Sequence, residues 1–377
     1  MELAEAVASH RIVVCLGSGG VGKTTTSAAI ALRAAMEGRR VLCLTIDPAK
    51  RLANSLGLAE LSGEEQAIDP ALFQKSGLPC KGSLSAMMLD MKHTFDELVE
   101  RYASTPAQQK RILNNRIYQY VSTSLAGTQE YMAMEKLHAV RSDPRFDLIV
   151  LDTPPTTNAL DFLEAPQKLV GAIDSPVMRW FVEQMQARSS LGLLGKGAAF
   201  VLRGLAKFTG VEFLEHVGEF VTDINELFGG FRERAKAVYD DLRGPDVAFL
   251  IVTSPSPQAV GEAAFFSRKL KDYGITPRAV VVNRVNAEVD VHAAPGADAL
   301  RTRLPPGVDA NALRAAMQTA ADDQNAVAHR DREGIRRLRE HVGASMTYTE
   351  VPALETDVHD MVSLAQISRY LLGPLPA

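Results

Sequence analysis

The chain has 377 residues, 46% hydrophobic and 23% charged, with a formal net charge of -4. That length can bury a core of more than one layer, and the composition is ordinary for a globular protein in water. The slightly acidic balance argues against a nucleic-acid protein, which carries a basic excess, although it leaves room for a local basic patch. The cysteines, Cys15, Cys43 and Cys80, form no Cys-x-x-Cys pair, and the histidines never recur at zinc-ligand spacing. Cys15 and Cys43 lie in apolar runs and read as buried free thiols. The N-terminus lacks the basic start and long apolar core of a secretory signal, and no apolar run reaches about 18 residues. The expected location is cytoplasmic.

The first element is an apolar strand, Arg11–Leu16, that stops at a glycine-rich turn. A helix is predicted over Thr24–Gly38, rich in good helix formers and closed by Gly38. The next strand, "RRVLCLTID", stops at Asp47. Three more apolar runs follow: Phe146–Asp152, Val247–Ser254 and Arg278–Asn283. All are continuously apolar rather than alternating, which suits a parallel sheet covered by helices on both faces. Helical spacing dominates from about Ser83 to Arg141 and again between Asp161 and Asp246. Asn286–Asp309 is a Pro/Gly/Ala-rich loop followed by a charged helix. The expected fold is α/β: a mostly parallel sheet flanked by helices, with a helical insertion subdomain. As a domain plan this gives a single domain over residues 1–377, its core spanning about 8–82, 142–165 and 240–377. Helical excursions take up about 83–141 and 166–239.

The segment Gly17-Ser18-Gly19-Gly20-Val21-Gly22-Lys23-Thr24-Thr25 satisfies G-x-x-x-x-G-K-[ST], between a strand and a helix. Its glycines let backbone N–H groups turn toward an anion, Lys23 reaches the β/γ-phosphates, and Thr24 offers a hydroxyl to Mg²⁺. The helix N-terminus adds a partial positive charge. Asp47 and Asp152 both stand at the carboxyl ends of strands, where open α/β sheets bind ligands. Two carboxylates there can hold hydrated Mg²⁺ and orient a water for in-line attack on the γ-phosphate. Lys23, Asp47 and Asp152 are therefore the catalytic candidates, and Thr24, Asp47 and Asp152 the metal candidates. Each aspartate could equally cap the turn that follows it.

Together these segments resemble the arsenical-pump and tail-anchored-protein-targeting (ArsA-like) ATPase family, in the deviant-Walker class of dimeric phosphate-loop ATPases. The family's loop reads G-K-G-G-V-G-K-T-T against "GSGGVGKTT" here, and its switch I D-P-A matches Asp47-Pro48-Ala49. Its switch II, D-T-A-P-T-G-H, compares with "DTPPTTN" from Asp152 to Asn158, and Ala126–Leu137 resembles a family helix more loosely. The resemblance implies that Asp47 positions the attacking water and that Asp152 acts at the Mg²⁺ shell. It also implies that Asn283 contacts adenine and that a proline loop, Val351–Asp357 with Pro352, closes over the base. Guanine-specific relatives carry N-K-x-D; this chain reads "NRVN", with no aspartate at the fourth position, so ATP is expected. A homodimer, or a heterodimer with a paralogous ATPase, is implied as well, as is a hydrophobic helix or other protein client.

Several positions depart from the family. Ser18 replaces the signature lysine, which in the family crosses the dimer interface to the partner's nucleotide. Three readings follow: a homodimer that hydrolyses ATP slowly, a paralogous partner that supplies the lysine, or another basic residue that substitutes. Asn158 stands in place of the switch II histidine. Neither the family's zinc-holding Cys-x-x-Cys nor an arsenite-binding cysteine cluster is present, so neither zinc nor arsenite is expected. Arg188–Val211 carries four basic residues and no acidic one, which suits either an amphipathic surface for a helix or a peripheral membrane contact, or ordinary core helices with solvated charges. The methionines at 87, 88, 91, 132 and 134 could line a groove or fill a core. Two other functions compete: a hydrolysis-poor, nucleotide-stabilised scaffold, and a partition or division-site ATPase. The long helical excursions count against the second, and no nucleic-acid partner is expected.

Overall fold

The computed structural model describes residues 3–46, 51–124, 128–153, 231–290 and 308–376, together with 171, 175–176, 216–217, 219–220, 222–223 and 304–305. Among these residues the strands are β1 (Ile12–Leu16), β2 (Arg40–Thr45), β3 (Gln66–Ala67), β4 (Ser83–Met88), β5 (Leu148–Asp152), β6 (Val247–Thr253), β7 (Ala279–Val285) and β8 (Thr347–Pro352). They form one sheet in the order β3-β4-β2-β5-β1-β6-β7-β8. Every neighbouring pair is parallel except β3–β4. Parallel pairing brings the carboxyl ends of β1, β2, β5, β6 and β7 to a single edge, the place where such sheets bind ligands.

The helices in chain order are α1 (Leu3–Ser9), α2 (Lys23–Met36), α3 (Arg51–Ser55), α4 (Pro70–Lys75), α5 (Met91–Tyr102), α6 (Pro106–Asn114), α7 (Arg116–Ser124) and α8 (Thr128–Arg141), then α9 (Phe231–Leu242), α10 (Pro257–Asp272), α11 (Ala310–Val342) and α12 (Met361–Leu372). They cover the sheet on both sides. Ile12, Val14 and Leu16 pack with Phe95, Leu137, Phe266 and Leu338 from α5, α8, α10 and α11. The alternate residues Val13 and Cys15 pack with Ile30 and Leu364 from α2 and α12. Side chains alternate across a strand, so two dry faces require apolar residues at every position, which explains the unbroken apolar runs. Each fully buried aliphatic side chain contributes about 1.5–3 kcal/mol.

Strands β1, β2, β5 and β6 lie within the predicted runs, β7 runs two residues past its predicted end at Asn283, and α2 starts one residue before the predicted helix and ends two residues before Gly38. Three strands were not expected. Ser83–Met88, read as the start of a helical stretch, is instead β4, paired in register with β2 from Arg40↔Ser83 to Thr45↔Met88. Ser, Ala and Met do not favour strand, and the pairing overrides that propensity. Helix begins only at Met91, where the Asp90 carboxylate accepts the His93 N–H at 2.9 Å. Residues 66–67 form the short antiparallel edge strand β3, and Thr347–Pro352 the opposite edge strand β8. Pro352, expected in a loop, is the last residue of β8, where a missing N–H is tolerated. The charged helix begins at Ala310, capped by Asp309 accepting from Asn311 N at 2.8 Å.

Helix α2 is buried along nearly its whole length, and Ala28, Ala29, Ala31 and Ala35 are all fully buried. Such small side chains let it lie close against the sheet. A second buried cation besides Lys23, Arg33, ties α2 to the C-terminal segment: the guanidinium donates to Glu37 Oε1 at 2.6 Å, to Gly373 O at 3.1 Å and to Pro374 O. Arg33→Met is expected to lower stability by about 2–3 kcal/mol, because buried carbonyls lose a charged donor. Glu37→Gln removes a pair whose carboxylate is 46% exposed and should cost under about 1 kcal/mol. Urea unfolding at pH 7 of the two variants checks this ranking.

Candidate functional site

The loop from Gly17 to Gly22 leaves β1 and enters α2 through backbone conformations that glycine makes possible. A Cβ on Gly17 would stand 2.1 Å from the backbone oxygen of Val252 on β6, so the loop can leave the sheet at this point only without a side chain. Gly20 and Gly22 have φ of +76° and +96°, in the left-handed region. Gly22 is the N-cap of α2, with no side-chain cap hydrogen bond, and the first turn holds no acidic residue. A helix start of this kind accepts an anion on its first N–H groups. Lys23 is buried, and its Nζ donates to Ser18 O at 2.8 Å, folding the ammonium back over the loop. Ser18 is half-buried, and Gly19 and Gly20 are exposed at the tip.

Beside the loop, Asp152 ends β5 with none of its surface exposed. Its Oδ2 accepts from Thr24 Oγ1 at 2.7 Å and from Thr45 Oγ1 at 3.1 Å. Thr153 Oγ1 donates to Cys15 O at 2.8 Å, and Ile46 N to Asp152 O at 3.1 Å, lacing the ends of β1, β2 and β5 together. A threonine hydroxyl has one proton and two lone pairs. Thr24 spends its proton on Asp152, so its oxygen has lone pairs left for a cation. Hydroxyl and carboxylate oxygens are the hard donors that suit Mg²⁺, and the donor set fits that ion. Burial pushes the Cys15 thiol up to about 12, so this cysteine beneath the loop is neutral and unreactive.

The far wall comes from β7 and β8. Asn283 Nδ2 donates to Val21 O at 2.9 Å, tying the end of β7 to the loop, and its Oδ1 accepts from Arg284 N at 3.0 Å. Arg284 has φ of +60°, and the β7–β8 register shifts between Val282 and Val285. Such an irregularity re-aims side chains at a strand end. Gly22, Thr24, Thr25, Asn283, Arg284 and Pro352 line one cleft of about 580 Å³. That volume is in the range of small-molecule sites. A second, more apolar cleft of about 500 Å³ lies between α10 and α11 and contains no loop residue. The chemistry, rather than the apolar lining, identifies the first cleft as the site.

The structure thus brings the loop residues, Lys23, Thr24, Thr25, Asp152, Asn283 and Pro352 to one edge of the sheet. Asp47, Asn158 and the basic stretch Arg188–Val211 lie outside the described residues. Met132 and Met134 are fully buried core residues on α8. Sequence reasoning missed Thr45 and Arg284. The signal for Thr45 was a hydroxyl ending an apolar strand two residues before Asp47; for Arg284 there was none, because its backbone conformation is invisible in one dimension.

A nucleotide's phosphates are the ligand for which a helix starts bare of any side-chain cap, beside a buried threonine–aspartate pair at a parallel sheet's carboxyl edge. The fold and site define a phosphate-loop NTPase. Within that class, residues 10–297 match the family model described as Anion-transporting ATPase, and the chain belongs to that family. It is an ATPase that binds and hydrolyses ATP. It is similar to ATPase GET3 of Malassezia globosa, 23% identical over 370 residues that cover 97% of this chain and 92% of that one. It is also similar to ATPase get3 of Aspergillus terreus, 26% identical over 274 residues, 71% of each chain. Among the described residues no helix is long and apolar enough to cross a membrane.

The contact between loop and far wall is open to a direct check. A Cβ at Gly22 would stand 2.1 Å from Asn283 Nδ2, at a φ that strains any side chain. Gly22→Ala should cost about 1–3 kcal/mol of stability and weaken ATP binding about tenfold or more. Asn283→Ala in the same chain should recover part of the stability, with a coupling of about 1 kcal/mol in a double-mutant cycle. Strict additivity would mean that the two residues do not meet.

Proposed function

We propose that the chain is a Mg²⁺-dependent ATPase acting as a dimer, whose nucleotide state sets the shape of a helical surface for a protein client. The observation that carries this reading is the 2.7 Å bond from Thr24 Oγ1 to Asp152 Oδ2, at an uncapped helix start beside the cleft. Thr24 and Asp152, with Asp47, would hold Mg²⁺, which supplies charge neutralisation at the transferring phosphoryl group. The loop N–H groups and Lys23 bind the phosphates, Asn283 and Pro352 flank the base, and Asp47 orients the attacking water. The whole chain acts as one ATPase domain, in the cytoplasm, with the client surface on its helical excursions. The names of the relatives, ATPase GET3 among them, support this reading.

Asp152→Asn tests it. With Thr24 donating to a weaker, neutral acceptor and the metal site one charge short, phosphate release should fall about 100-fold or more while nucleotide binding in EDTA persists. Wild-type phosphate release in that variant would overturn the assignment.

One observation favours a second reading, a subunit that binds ATP firmly and turns it over slowly. Ser18 contributes to the loop its carbonyl, as acceptor for Lys23, and a neutral side chain too short to cross to a partner's nucleotide. A charged contact to a transferring phosphoryl group is worth orders of magnitude in rate. Ser18→Lys should therefore raise steady-state ATPase activity about tenfold or more. An unchanged rate would show that this position does not limit turnover. Co-purification of a paralogue bearing Gly-Lys-Gly-Gly would identify a heterodimer.

A further inference from the structure

The mechanism proposed above makes no use of Thr45, yet this residue occupies a singular place. It ends β2 and is 1% exposed, and in the β2–β5 register it lies directly opposite Asp152. Its Oγ1 donates to Asp152 Oδ2 at 3.1 Å, the same oxygen that accepts from Thr24 at 2.7 Å. Its backbone is held as well: Leu89 N donates to Thr45 O at 2.8 Å, and the next residue, Ile46, donates its N–H to Asp152 O at 3.1 Å. Asp47 follows in the chain.

An aspartate side chain has a soft last torsion, since rotation of a carboxylate about its final bond has broad minima. Thr24 holds one oxygen of the Asp152 carboxylate from the first turn of α2. A second donor on the same oxygen, from the neighbouring strand, sets the plane of the group. Groups that orient a metal-binding side chain in this way govern metal affinity nearly as strongly as the ligands do. Valine at this position would keep the β-branched shape that suits the strand and lose the hydroxyl.

We propose that Thr45 is a positioning residue of the cation site: its hydroxyl holds the carboxylate of Asp152 in the orientation that Mg²⁺ binding requires. The same hydrogen bond joins the end of β2 to the strand bearing Asp152. This inference rests on the Mg²⁺-dependent ATPase reading and deepens it.

The test measures binding of a fluorescent ATP analogue by anisotropy, first in EDTA and then across a Mg²⁺ titration, for the wild type, Thr45→Val and Thr45→Ser. In EDTA all three should bind alike, within about threefold, while Thr45→Val should need about 10- to 100-fold more Mg²⁺ for half-maximal tightening. Thr45→Ser keeps the donor and should lie within about threefold of the wild type. Should the valine variant fail to fold, judged by circular dichroism, Thr45→Ala takes its place. A wild-type Mg²⁺ dependence in the variant lacking the hydroxyl overturns the inference, as does an equal loss of affinity with and without Mg²⁺, the mark of a purely structural role. If the wild type itself shows no Mg²⁺-dependent tightening, the metal reading fails, and the inference with it; the two failures are thus told apart by the wild-type curve alone.

Discussion

A carboxylate with none of its surface in water is costly to keep, and the site is organised around meeting that cost at Asp152. Two threonine hydroxyls reach its Oδ2, one from the first turn of α2 and one from the end of β2. Both donors are available because of the sheet order. β5 lies between β1 and β2, so a residue at its carboxyl end faces the loop after β1 on one side and the end of β2 on the other. Moving β5 to an edge would leave the carboxylate one neighbour short.

The same order explains the reach of the loop. β1 lies between β5 and β6, and Gly17 passes so close to Val252 on β6 that no side chain fits. From there the loop meets Asn283 through Val21 O, so three strands and one helix start are joined by a few short contacts. The site is therefore stiff where phosphates bind and is set by backbone as much as by side chains. Within that stiff frame Ser18 stands out, because membership of the family makes ATP chemistry certain while the chain holds a neutral residue at the loop's second position.

Much of this was legible in one dimension. Strands buried on both faces announce themselves as unbroken apolar runs, and β1, β2, β5, β6 and β7 were all visible that way. The phosphate loop was visible because few other segments need glycines, a lysine and a threonine at those spacings. β4 was hidden, since "SLSAMM" has the composition of a helix and becomes a strand only by pairing with β2. β8 was hidden for the opposite reason: at the sheet's edge all its residues but Val351 are half-buried, so "TYTEVP" carries no apolar run, and its last residue is a proline.

The sequence by itself determined the class of protein, because phosphate binding depends on local chemistry: contiguous glycines, the lysine and threonine that follow them, and a strand and helix on either side. It also identified Asp152 and Asn283 as strand-end residues. Only the tertiary structure decided what those residues touch. That Thr45 and Thr24 share one oxygen of Asp152, and that Asn283 holds Val21, depends on strand order and register. Register is a property of pairing between segments more than a hundred residues apart in the chain, and no local pattern encodes it.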